Sequence, residues 1–75
     1  MTSSRTRSGE AVVGKVGLVT GTLASGQVGE VMLSTTGGSE AFHAYASNRD
    51  EIVPVGTRVL VLEYFPPRTV VVEPM

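Results

Sequence analysis

From Ala11 onward, short β-branched runs alternate with Gly, Thr and Pro breaks. That is the pattern of strands joined by tight turns, not of amphipathic helices. The first run, residues 16–22, puts Val16, Leu18, Thr20 and Thr22 on one face and Gly17, Val19 and Gly21 on the other, with Lys15 at its entry. Ala24–Ser25–Gly26 makes a turn, and residues 27–34 form a second strand. Thr35–Thr36–Gly37–Gly38 turns the chain again. The third strand, residues 39–45, directs Phe42, Ala44 and Ala46 one way and His43 and Tyr45 the other. After the polar break Ser47–Asn48–Arg49–Asp50, residues 50–55 fit either a short helical turn or an extended crossing, and Pro54 and Gly56 limit any helix there. The strongest strand spans residues 57–64, where Val59 and Val61 alternate with Arg58 and Leu60. Phe65–Pro66–Pro67–Arg68 turns into a last strand, residues 69–73, with Val70 and Val72 on one face.

Five short strands in an open sheet would expose two edges to association, and closing the sheet removes them. A five-stranded Greek-key barrel of the OB type is the expected fold, with an SH3-like barrel as the second choice. Nine glycines in 75 residues also speak against long helices. The reading gives one domain: residues 1–10, rich in Ser, Thr and Arg, as a disordered tail or linker, and residues 11–75 as the barrel. A chain this short buries only about 60% of its unfolded surface, so the core is thin.

Charge changes the picture little. Six basic residues face seven acidic ones, a net charge of −1, which gives no electrostatic reason to expect nucleic acid or anionic lipid. The longest aliphatic run, Val59–Leu60–Val61–Leu62, is far short of the roughly 20 residues a spanning helix needs. The polar N-terminus does not read as a signal peptide, and the chain is expected to be soluble as it stands. Without cysteine there is neither a disulfide nor a thiolate.

Candidate chemistry is sparse. His43 lies near Ser39 and Glu40, but residues so close on one strand alternate faces and do not converge. Asp50 and Glu51 are adjacent and diverge in the same way, so no metal site is expected. Gly14–Lys15–Val16–Gly17 and Gly37–Gly38 precede strands, not the helix that a phosphate cradle requires. Lys15, the one lysine, stands at a strand entry and not at a hairpin tip where a lipoyl or biotin carrier would hold it. The expectation is a non-catalytic domain with no cofactor. Binding of single-stranded nucleic acid or oligosaccharide is the alternative, since OB barrels often do this with aromatic platforms and a positive groove. Tyr45 and Arg58 are the residues that could share such a face.

The series Gly14–Lys15–Val16–Gly17, Thr20, Leu23, Gly26, Val28 and Val31 resembles the opening of the soluble C-terminal domain of NfeD-like proteins. Phe42–His43–Ala44 resembles that family's aromatic-x-alanine strand. Val55–Gly56–Thr57–Arg58–Val59–Leu60–Val61 resembles its G-T-x-V-x-V strand, and Thr69–Val70–Val71–Val72–Glu73–Pro74 its closing strand. The likeness covers residues 14–74. It implies an OB barrel and a bacterial membrane protein as the parent, with this domain on the cytoplasmic side. It also implies protein partners of the flotillin or stomatin scaffold type, or self-association. It carries over no catalytic residue. A proline usual in the family's first loop is absent around Ala24–Ser25–Gly26, and the hairpin over residues 33–40 is longer and more polar than the family's.

The expected partner surface is Leu60, Leu62, Tyr64, Phe65 and Pro66. The fourth strand is apolar on both faces at Leu60, Val61 and Leu62, and only one face can pack the core. The competing reading has Ala11–Val12–Val13 covering the second face from within the same chain.

Overall fold

The structure is a computed structural model, and it describes residues 12–75. The expected tail over residues 1–10, and Ala11, lie outside the described residues. Five strands follow in chain order: β1 Val16–Gly21, β2 Gly29–Thr35, β3 Gly38–Ala46, β4 Arg58–Phe65 and β5 Thr69–Pro74. They close into a barrel in the order β1-β2-β3-β5-β4, with β4 pairing back onto β1. Every pairing is antiparallel except β3 with β5. This is the expected OB-type Greek-key barrel, with strand ends within two residues of those read from the sequence.

Strand alternation decides what lies inside. Val19, Val31, Leu33, Phe42, Ala44, Val59, Val61, Val70 and Val72 all point inward and are buried. The core is mostly valine, which suits it: a short β-branched side chain fills a narrow barrel and favours the extended backbone. Three residues outside the strands complete it. Leu23 and Val53 exchange backbone hydrogen bonds of 2.9 Å each way beyond the end of β1. Val12 packs into the core from before the start of β1. Residues 50–55 are therefore an extended crossing held to residue 23, the second of the two options the sequence left open.

Glycine enters the inner wall where strands come too close for a side chain. A Cβ on Gly29 would lie 2.6 Å from the Gly21 carbonyl oxygen and 2.8 Å from that of Thr22, both backbone atoms that cannot turn aside. Gly17 faces inward between Val16 and Leu18, and Leu33 of β2 fills the space a Cβ would need. The face of β1 carrying Gly17, Val19 and Gly21 is thus the core face. Val16 and Leu18 point outward and are about half exposed, at 46% and 44%.

A second irregularity lies in β4, where the register with β5 shifts between Val61 and Glu63. One extra residue is taken up there, as in a β-bulge. Leu62 and Glu63 are both exposed, and alternation resumes with Tyr64 opposite Val70, packed against the core.

Candidate partner-binding surface

The β4–β5 corner is built on two aromatic rings. Phe42 of β3 is buried, and Tyr64 meets it edge-on with ring centroids 6.3 Å apart and planes at 73°. That T-shaped contact places the positive edge of one ring against the negative face of the other. The Tyr64 hydroxyl donates to the Pro67 carbonyl at 2.9 Å, tying the strand to its own turn. The Pro66–Pro67 peptide bond is cis.

Arg68 then fastens the turn to β3. One guanidinium nitrogen donates to the Ala41 carbonyl at 3.0 Å and to Glu40 Oε1 at 3.3 Å, and the guanidinium lies 5.5 Å from the Phe42 ring centroid. The His43 amide donates to the Arg68 carbonyl at 2.8 Å. Glu40 also accepts from the Thr35 hydroxyl at 3.3 Å. Arg68 and Glu40 remain partly open to solvent, so the ion pair is screened and its main effect is positional.

Of the five residues expected to form the partner surface, three gather at this corner. Phe65 is 51% exposed, and Leu62 and Pro66 are exposed with it. Tyr64 points the other way, and its ring supports the corner from below. Leu60 lies in register with Val16 and Glu73, on a different part of the outer wall. The segment before β1 does not settle in the way the competing reading supposed. Gly14 donates to the Val61 carbonyl and Val61 donates to that of Lys15, so the segment runs beside β4; Val12 enters the core and Val13 stays 46% exposed.

Sequence reasoning missed Arg68 and Glu40, which fix the corner, because Glu40 lies 28 residues from its partner. It also missed the outward direction of Val16 and Leu18. The available signal was the pair of glycines on the opposite face of β1, since a narrow barrel needs its gaps on the inside.

Tyr45 and Arg58 do not share a face. Tyr45 lies in register with Val71 and, through it, with Glu63; Arg58 is five positions from Glu63 on β4, roughly 17 Å along the strand. Arg58 borders a groove with Leu18 and Ser39, whereas Tyr45 borders another with Arg49 and Asp50. The register across β5 sets the two side chains at different heights on the barrel. His43 stands exposed on the outer wall in register with Glu30 and Thr69, and Ser39 pairs with Ser34 further along β3. Among the described residues, no three His, Asp or Glu side chains are grouped as metal ligands, and no helix is long and apolar enough to cross a membrane.

Residues 16–73 match the family model described as the NfeD C-terminal domain. The chain belongs to that family. Its barrel also matches the solution structure of the soluble domain of the NfeD protein YuaF from Bacillus subtilis. The TM-score is 0.67 and the identity 22%, over 95% of this chain and 90% of that one. At that identity the match shows the shared fold. No curated protein matches the chain. The matched residues take in β1 to β4 and β5 as far as Glu73, and so include the β4–β5 corner.

Proposed function

We propose that this NfeD C-terminal domain is a non-catalytic docking module, the soluble part of a membrane protein, and that its β4–β5 corner engages a scaffold partner of the flotillin or stomatin type. The observation that carries the reading is the corner itself: Phe65, Leu62 and Pro66 stand exposed on a turn that Tyr64, Arg68 and Glu40 hold against β3. A rigid apolar tip loses little conformational entropy when it is buried, which lowers the cost of association. An aromatic ring at the centre of such a tip is the usual energetic anchor of an interface.

The test is binding of the 75-residue chain to the purified soluble region of a flotillin- or stomatin-like protein from the same organism, measured by calorimetry. Phe65→Ser should weaken binding about tenfold or more while leaving the circular dichroism spectrum unchanged. Leu62→Ser should weaken it less. Unchanged affinity in the folded Phe65 variant would remove the corner as the docking surface, and an absence of binding by the wild-type chain would remove the scaffold partner.

A further inference from the structure

The outer wall over β1 and β4 carries aliphatic side chains that neither the core nor the corner uses. In one cross-strand row, Met32, Leu18 and Arg58 stand side by side. In the next, Val16, Leu60 and Glu73 do. Val16 and Leu18 are nearly half exposed, Met32 and Leu60 are partly buried, and Met75, whose amide donates to the Arg58 carbonyl at 3.0 Å, is 72% exposed. The two charges of the wall, Arg58 and Glu73, are both exposed, and neither forms an ion pair with another described residue.

Their placement is self-complementary. Arg58 lies two positions along β4 from Leu60, and Glu73 lies directly beside Leu60 on β5, so the two charges stand at right angles about that side chain, offset by one strand and one row. In a two-fold contact the same patch meets itself, so residue i of one copy faces residue j of the other, and j faces i. With the axis lying in the interface, passing through Leu60 and running between the directions to the two charges, Leu60 meets its own copy, Arg58 meets the copy's Glu73, and Glu73 meets the copy's Arg58. A partner of uniform charge would leave one of these two groups opposite a like charge, which is disfavoured. We propose that a second copy of this chain covers the β1–β4 wall, with Leu60 and Val16 at the centre and two Arg58–Glu73 pairs at the rim. This interface is centred on different side chains from those of the corner assigned above to a scaffold partner.

Sedimentation equilibrium of the 75-residue chain, from about 10 μM to about 1 mM, tests it over the range in which a small wet interface associates. The wild type should move from monomer to dimer. Val16→Lys should keep it monomeric throughout, with an unchanged heteronuclear NMR fingerprint away from the wall. Arg58→Glu and Glu73→Arg should each raise the dimer dissociation constant about fivefold or more, and the double exchange should restore it to near the wild-type value. Rescue by the double exchange is the result a merely structural effect of either residue would not give. A wild type that stays monomeric at the highest concentration would overturn the proposal, as would a double exchange that fails to restore association. Scaffold binding through Phe65 by a chain that stays monomeric would sink the second-copy proposal alone. Loss of scaffold binding by a chain that still dimerises through Leu60 would sink the corner alone.

Discussion

The β4–β5 corner and the β1–β4 wall both expose apolar side chains, but they are made differently. At the corner, polar side chains hold the turn: Tyr64 bonds to Pro67, and Arg68 to Ala41 and Glu40. On the wall the side chains simply stand out from paired strands, and the charges of Arg58 and Glu73 have not been drawn into the fold. A corner substitution therefore acts on the barrel as well as on binding. A wall substitution acts on what the barrel meets. Exposure alone would not separate the two, since Phe65 and Val16 are exposed to similar degrees, 51% and 46%.

The largest effect that tests this contrast is at Phe42, where the corner and the core share a side chain. Phe42→Ala removes a buried ring, the edge contact with Tyr64 and the surface beneath Arg68 together. Losses of buried aromatic groups cost about 3–5 kcal/mol, and the lower figure is expected here because the cavity opens beside a partly exposed turn. Urea unfolding followed by circular dichroism measures it. A loss under about 1 kcal/mol would mean that the rings do not brace the corner.

Next in size is Arg68→Met, which keeps the aliphatic stem and removes the guanidinium. The bond to the Ala41 carbonyl and the contact with Phe42 go with it, and the Glu40 pair contributes little because both side chains are half open. The expected loss is about 1 kcal/mol. Arg68→Lys should recover less than half of it, because a lysine lacks the flat face that lies along the ring. Full recovery by lysine would assign the effect to charge alone and would make the corner resemble the wall.

The contrast also marks how far the fold could be read in the residues. The turns at Ala24–Ser25–Gly26, Gly37–Gly38 and Pro66–Pro67 mark themselves through residue types that suit tight loops, and the valines between them mark strands. Closure followed from the need to protect sheet edges. Two things stayed hidden. The bulge after Val61 has no marker residue, so alternation alone would place Tyr64 with Leu62 and Leu60 on the outside, and only the register with β5 turns it inward. The parallel pairing of β3 with β5 joins segments that the sequence separates by the whole of β4, and Arg68 reaches Glu40 only through it. Of the surface read from the sequence, Leu62, Phe65 and Pro66 stand together because local order sufficed for them; Leu60 and Tyr64 needed long-range pairing to be placed.

The smallest effect, that of Val16→Thr, is the most discriminating, because it is read against the same exchange at Val19, three positions along β1. Val16→Thr exchanges side chains of nearly the same shape on the outer wall; Val19→Thr makes the same exchange at a residue with no exposed surface. Inside the barrel the new hydroxyl loses water among the apolar side chains of the core, so Val19→Thr should cost about 1–3 kcal/mol. On the wall the hydroxyl stays hydrated and the β-branch is kept, so Val16→Thr should change stability by less than about 0.5 kcal/mol at low micromolar concentration. The same measurement at millimolar concentration then separates a bare wall from a covered one. If a second copy seats on Val16, association adds to the stability of the wild type as concentration rises, and the Thr variant should fall behind it. A gap that stays the same at both concentrations would show that Val16 faces only water.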